Sequence, residues 1–328
     1  MGGETIVQGI LLAFAVVVVL MPSFIRLLRR LGMGKRIRLE GPETHYAKEG
    51  TPAMGGLLIV LVVLAIGLLI EFFGGGFVDA NTFAPMATLA LVGVLGTADD
   101  WLNARTGDGI SAVQKLLWQT VVAGVAAWQI QDTYQLDQLA VPLIGVVDIH
   151  PILFIGIAAF AIVATSNAVN ITDGLDGLAG GTLIFAFIGY MVIAFTFGQV
   201  NLAVLCALII GAITAFLWFN VHPAQIFMGD SGSLSLGATL AVTAVITGQV
   251  LLLPLIGLVF VLETGSVILQ VASVKLRGRK VFKFTPLHHH FELSGWDEEK
   301  VTLRFWIVGA LSALVGVAFY MATRGMLA

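Results

Sequence analysis

Ten runs of about twenty apolar residues, separated by short polar breaks, leave this 328-residue chain little choice of surroundings. A run of that length crosses the hydrocarbon core of a bilayer as a helix. The runs fall near 5–28, 52–71, 82–100, 112–131, 150–169, 177–197, 200–218, 233–250, 252–275 and 301–322. Only 11% of the residues are charged and 58% are hydrophobic, with a mean hydropathy of +0.97. A soluble globular protein carries about 25% charged residues, so that class is excluded. The pattern predicts an all-α polytopic membrane protein with about ten transmembrane helices. One domain is expected over 1–328, because no polar stretch is long enough to build its own core. The first run, Ile6 to Leu28, is long for a signal peptide and follows no basic segment, so it reads as a retained transmembrane helix. The one cysteine, Cys206, lies inside an apolar run and suits helix packing; no internal disulfide is open to it.

An even number of spans puts both termini on one side. The breaks after the odd-numbered spans, with the adjoining helix ends, hold nearly all the basic residues. They include Arg29, Arg30, Lys35, Arg36, Arg38, Lys48, Arg105, Lys115, Arg277, Arg279, Lys280 and Lys283. Of 17 Lys and Arg, only Arg324 falls on the opposite face, where Asp79, Asp132, Asp137 and Asp148 collect. Positive charge stays cytoplasmic, so both termini are expected to be periplasmic. The net charge of −3 says little about partners, because its distribution matters more than its sum. The outer break 132–149, with Pro142 and Gly145, suits a small hairpin. Pro254 and Gly257 interrupt the ninth span and could bend it.

Polar residues gather in five places on the predicted cytoplasmic face. The most informative is Asn167–Ala179, where Asn167, Asn170, Asp173 and Asp176 recur every third residue. On a helix each such step turns the side chain by about 300°, which predicts one polar stripe. Ordinary capping accounts for one Asn or Asp, not four in register, and carboxylates at this depth are usually functional. The other places are His45–Gly56, the pair Asp99-Asp100 followed by Lys115, the segment Asn220 to Ser233, and Pro286–Glu292. A transporter, the distant alternative, would set its polar groups near the midplane. Convergence on one surface favours an interfacial enzyme.

Neighbouring carboxylates on a helix diverge by about 100°, so Asp99 and Asp100 are not expected to chelate one metal together; a nearby cation would keep both ionised. Asp230 lies between glycines just before an apolar helix, whose first-turn N–H groups suit a phosphate. A carboxylate beside a phosphate implies a bridging divalent ion, and Mg²⁺ takes few carboxylates plus phosphate oxygens. His288, His289 and His290 read as groups that bind phosphate or orient a leaving group; consecutive histidines seldom share one zinc. In an extended chain His288 and His290 would point one way and His289 the other. His150 and His222 read as structural. Glu263, costly inside an apolar span, faces either a groove or a neighbouring helix.

Taken together, these residues resemble the phospho-N-acetylmuramoyl-pentapeptide transferases, the MraY branch of the polyprenyl-phosphate N-acetylhexosamine-1-phosphate transferases. The Asp pair, the Asn-Asp stripe and Met228-Gly229-Asp230-Ser231-Gly232-Ser233 resemble superfamily motifs. His45-x-x-Lys48-x-Gly50-Thr51-Pro52 and Pro286-Leu287-His288-His289-His290-Phe291-Glu292 resemble that branch specifically. The likeness runs from Arg38 to Glu292, with two departures: Asn103 stands where the family commonly has lysine, and Ala53 where it has threonine. The resemblance implies transfer of phospho-N-acetylmuramoyl-pentapeptide from its UDP carrier to undecaprenyl phosphate at the bacterial cytoplasmic membrane, on its cytoplasmic face. The products would be lipid I, for peptidoglycan synthesis, and UMP, with Mg²⁺ required. It further implies Asp99 or Asp100 as base or nucleophile, Asp230 as metal ligand with Asp173 in support, and catalytic roles for His289 and His290. Lys48, Lys115, Asn170, Asp173, Asp176, Asn220, Phe227 and His288 become substrate-binding candidates, with Phe227 stacking on uracil and Lys115 neutralising phosphate. A homodimer is implied by the family alone. The nearer alternative is a sister transferase that moves N-acetylglucosamine-1-phosphate to the same kind of lipid.

Overall fold

The computed structural model describes residues 2–34, 50–136 and 138–327, with side chains to residue 324. His45, Lys48, the basic residues from Lys35 to Arg38, and Asp137 lie outside the described residues. The elements run α1 (Gly2–Arg30), α2 (Gly55–Phe72), α3 (Ala80–Thr106), α4 (Ala112–Tyr134), β1 (Gln138–Val141), β2 (Gly145–Asp148), α5 (Pro151–Thr172), α6 (Leu178–Thr196) and α7 (Val200–Asn220). They continue through α8 (Asp230–Ile246), α9 (Leu253–Ile256), α10 (Leu258–Arg277), α11 (Leu287–Glu292) and α12 (Glu298–Leu327). The all-α expectation holds. Eight of the described helices, α1–α3, α5–α7, α10 and α12, are long and apolar enough to cross a membrane. The predicted spans at 112–131 and 233–250 correspond to α4, which is not among the eight, and to the shorter apolar α8, of 17 residues.

α8 is the centre of the bundle. Every residue from Ser231 to Ile246 is buried, and α3 and α5 pack along it, with α2 against it as well. Such close company needs small side chains, and Ser231, Gly232, Ser233, Ser235, Gly237 and Ala238 supply them. Buried hydroxyls need acceptors; those of Ser235, Thr239 and Thr243 donate to carbonyls four residues back. A second layer forms where α7 packs between α1 and α6.

Local sequence explains the ends. Asp79 and Ser111 build capping boxes that start α3 and α4. The expected hairpin is present: β1 and β2 pair antiparallel from Gln138↔Asp148 to Val141↔Gly145. The expected interruption is present too. The ninth span divides at Gly257 into the one-turn α9, with Pro254 in its first turn, and α10.

The polar stripe is corrected. α5 ends at Thr172, with Asp173 as its C-cap, so Asn167 and Asn170 share a helix while Asp173 and Asp176 lie in the turn after it. The glycines at 174 and 177 favour that stop, and Asp176 leaves the stripe for another part of the molecule. The histidine segment is helical: Leu287–Glu292 forms a turn and a half, so the alternation that an extended chain would give does not apply.

Candidate active site

The site is built where the end of α3 meets the start of α8. Gly96 allows the approach, because a Cβ there would strike the backbone of Asp230 and Ser231. Asp100 then reaches the first turn of α8: its Oδ1 accepts from Asp230 N and its Oδ2 from Ser231 N, both at 3.0 Å. Gly229 is held at φ +75 and a Cβ there would strike the Asp100 carboxylate, so a side chain is barred twice. This overturns one expectation. The N–H groups of Asp230 and Ser231 are taken by Asp100, and those of Gly232 and Ser233 by the Gly229 carbonyl, so they are not free for a phosphate.

Asp99, one residue earlier, diverges as its helix requires. Its Oδ1 accepts from Ile110 N at 2.6 Å and its Oδ2 from Lys115 Nζ at 2.9 Å. The same ammonium donates to Asp230 Oδ2 at 2.8 Å. The other Asp230 oxygen accepts from Asn170 Nδ2 at 2.8 Å, and that amide nitrogen also donates to Ser233 Oγ. One turn earlier on α5, Asn167 is tied to Gln119 of α4. Asp230 is therefore held by groups from α4 and α5 while its own helix is capped from α3.

Asp99, Asp100 and Asp230 each bring one carboxylate oxygen within 4.8 Å of the others. Asp99 and Asp100 therefore offer oxygens to one site together, against the expectation that their divergence would keep them from sharing an ion. Three carboxylates against one ammonium leave, when ionised, two excess negative charges, which one divalent cation would neutralise. Hard carboxylate oxygens suit Mg²⁺, so the residues present fit that ion. Asp173, expected beside Asp230 as a ligand, lies outside this group of three.

A cavity of about 240 Å³ opens on the cluster; its wall includes Asp100, Asn103, Asn170, Asp173, Phe227 and Asp230. Ala53 and Gly34 also line it, so both departures from the family pattern, Asn103 and Ala53, face this space. The backbone beside Phe227 is fixed to the segment before α2: Phe227 N donates to Pro52 O, and Gly55 N to Phe227 O, both at 2.8 Å. Four of the five polar segments thereby meet at one cavity.

The fifth does not reach its wall. His288 is 1% exposed and Glu263 fully buried; Glu263 accepts from the His288 backbone N and contacts its Nδ1 at 3.0 Å. Glu263 thus serves a neighbouring helix rather than a groove, a role sequence reasoning left open. His288 Nε2 is buried without a hydrogen-bond partner, and its ring lies against Gly174, next to Asp173. His289 Nδ1 contacts Glu292 at 2.6 Å, and His290 Nδ1 accepts from Lys283 N at 3.1 Å.

Asp176 and Asn220 sit in a separate joint. Asp176 Oδ2 contacts His222 Nδ1 at 3.0 Å and accepts from Ala224 N, while Asp176 N donates to Glu298 of α12. Asn220 spans the same region: its amide donates to Ile226 O and its carbonyl accepts from Gly177 N. His222 and Glu298 were not among the predicted site residues. Their only sequence signal was charge beside an apolar helix. His150 is structural as expected, its ring accepting from Ile152 N at the start of α5.

Comparison with known proteins places the chain among relatives. Residues 82–248 match the profile of glycosyl transferase family 4, a stretch that contains Asp99, Asp100, Lys115, Asn170 and Asp230. A phospho-N-acetylmuramoyl-pentapeptide-transferase of Geobacillus kaustophilus is 43% identical over 322 residues, covering 96% of this chain and 97% of its own. One of Lactiplantibacillus plantarum is 41% identical over 321 residues, with 96% and 97% covered. One of Halalkalibacterium halodurans is 41% identical over 310 residues, with 94% and 95% covered. Identity at that level over nearly the whole of both chains means that this chain belongs to the phospho-N-acetylmuramoyl-pentapeptide-transferase family.

Proposed function

We propose that this chain transfers phospho-N-acetylmuramoyl-pentapeptide from UDP to undecaprenyl phosphate, giving lipid I and UMP, with Mg²⁺ as cofactor. The observation that carries the reading is the Asp99–Asp100–Asp230 group, bound by Lys115, whose Asp100 and Asp230 line a cavity in a bundle of apolar helices. An oxygen of the acceptor phosphate attacks the sugar-linked phosphorus of the donor; the bond to the other phosphate breaks, and UMP leaves with the electron pair.

Two anionic phosphates must approach one another, and a bound Mg²⁺ would supply the charge neutralisation that permits it. Asp230, Asp99 and Asp100 are the residues that would hold the ion. Lys115 holds Asp99 and Asp230 in register and offsets part of their charge. Asn170 fixes the remaining Asp230 oxygen. Asp100, on the cavity wall, suits acceptance of a proton from the acceptor phosphate. Phe227, on the same wall, suits stacking on the uracil ring. Asp176 and Asn220 position the loop that carries Phe227, and His288 supports the turn that carries Asp173. An apolar groove of about 550 Å³ between α5 and the α9–α10 break, lined by Phe160, Ala164, Pro254, Phe260 and Ile268, supports a polyprenyl acceptor chain.

The direct test is UMP release by purified protein given undecaprenyl phosphate and either UDP-N-acetylmuramoyl-pentapeptide or UDP-N-acetylglucosamine. Turnover of the first and not the second is expected; the reverse preference identifies the sister transferase, and no UMP from either sinks the enzymatic reading. The site is read as cytoplasmic, with both termini periplasmic, from the charge distribution. A cysteine at Gly278 should then resist a membrane-impermeant thiol reagent in intact cells while one at Gly74 is labelled. The opposite labelling would invert the topology.

A further inference from the structure

The end of α10 carries an unusual surface. Lys275, Arg277, Arg279, Lys280 and Lys283 place five cations within nine residues, and no Asp or Glu occurs between Glu263 and Glu292. Among the described residues none of the five forms an ion pair with a carboxylate, and none lines the acidic cavity. The segment is also folded into a defined shape. Gly278 ends α10 at φ +64, and the chain turns back along the helix. Gln270 Oε1 accepts from both Val281 N and Phe282 N, its Nε2 donates to Phe282 O, and Ser273 Oγ donates to Arg279 O.

The cations are interleaved with bare apolar groups: Leu276 is 84% exposed, and Val274, Val281 and Phe284 are exposed too. These continue the apolar face that α10 presents through Ile268, Leu269 and Val271, which a membrane-spanning helix turns to lipid. Long basic side chains at such a boundary extend to the phosphate level while their stems stay in the acyl region. A soluble nucleotide offers nothing to the aliphatic groups, and a free phosphate needs a concave site. A cluster of four or more cations immediately beyond a spanning helix suits an anionic leaflet.

We propose that Lys275–Phe284 is a binding surface for anionic phospholipid headgroups, with Leu276, Val281 and Phe284 seated among the acyl chains. The proposal rests on the chain being in a membrane and not on its activity. Because Lys283 N donates to His290 Nδ1, bound headgroups hold the segment directly ahead of the histidine-bearing α11.

The test uses the full chain in nanodiscs of phosphatidylcholine with a minor share of phosphatidylglycerol. The readout is the phosphatidylglycerol that stays with the protein on detergent extraction, measured by mass spectrometry. Wild type should retain phosphatidylglycerol over phosphatidylcholine, and inorganic phosphate at equal ionic strength should not displace it. The triple variant Arg277→Gln, Arg279→Gln, Lys280→Gln should lower the enrichment at least about fivefold, the scale of losing one surface cation. The triple variant to Lys at 277 and 279 with Lys280→Arg should keep it. Unchanged enrichment in the Gln variant overturns the proposal, as does displacement by free phosphate. Should the Gln variant fail to fold, wild type in rising salt decides: headgroup attraction must fade within the screening range, and enrichment that survives molar salt also overturns the assignment. UMP release measured on the same nanodiscs keeps failure of the enzymatic reading distinguishable from failure here.

Discussion

The carboxylates around Asp230 and those around Asp176 are alike in spacing and differ in surroundings. Around Asp176, the acceptors are matched by donors from other parts of the fold: the His222 ring, the Ala224 backbone, and the Asp176 N–H that answers Glu298. These contacts tie the turn after α5 and the loop after α7 to the start of α12. Around Asp230, three carboxylates face one lysine and an open cavity. Both groups have the spacing to hold an ion. One joins separate segments of the chain, with Glu298 and Glu299 also 3.5 Å from the His222 ring, and its loss should loosen the fold. The other opens on a cavity, where its surplus charge meets whatever enters, and its loss should stop chemistry. Spacing alone does not tell the two apart; the cavity does.

The sharpest way to break that contrast is at Asp230. Asp230→Asn keeps the shape and the Asn170 contact but removes charge that a hard cation needs. Turnover should fall on the order of 10²- to 10³-fold, the scale of losing a positioned electrostatic group, with the melting temperature near wild type. Chelation by EDTA should abolish wild-type turnover, and added Mg²⁺ should restore it. Near-normal activity of the variant at limiting Mg²⁺ would remove Asp230 from the metal site.

A smaller loss is expected at the buried contact between Glu263 and His288. Losing a hydrogen bond at a buried polar side chain usually costs about 1–3 kcal/mol. Glu263→Gln retains the shape and part of the hydrogen bonding, so a lower melting temperature and roughly tenfold slower turnover are expected. Glu263→Asp should recover part of both. A variant as stable and active as wild type would show that the carboxylate charge is dispensable there.

The least effect belongs to the half-exposed His222. His222→Ala removes its contact with Asp176, which should cost about 1 kcal/mol and lower the melting temperature by a few degrees. Turnover should stay within a few-fold of wild type, and the Mg²⁺ concentration for half-maximal rate should not move. A shifted Mg²⁺ requirement would make the Asp176 joint part of the metal site and erase the distinction.

How far the sequence could be read depended on the range of the interactions. The apolar runs, the capping boxes at Asp79 and Ser111, the hairpin around Gly145 and the break at Gly257 all follow from residues close in sequence. The stripe from Asn167 to Asp176 misled because periodicity assumes one helix. Two glycines and a capping aspartate stopped α5 at Thr172 and sent Asp176 elsewhere. The orientation of the histidine triplet was not legible for a related reason: each ring follows a partner that is not its neighbour in the triplet, Glu263, Glu292 or the backbone of Lys283.

By itself, then, the sequence determined that the chain is helical and lives in a bilayer, and which polar residues stand near its helix ends. Those properties depend on composition over about twenty residues, because lipid tests each segment for its own apolar content. Only the tertiary structure decided what each polar group does. Asp100 and the start of α8 are 130 residues apart, and Lys115 and Asp230 are 115 apart. Whether a carboxylate caps a helix, binds a lysine or faces a cavity is set by which donors the packing of α3, α4, α5 and α8 brings within about 3 Å of it. No local pattern in the chain carries that information.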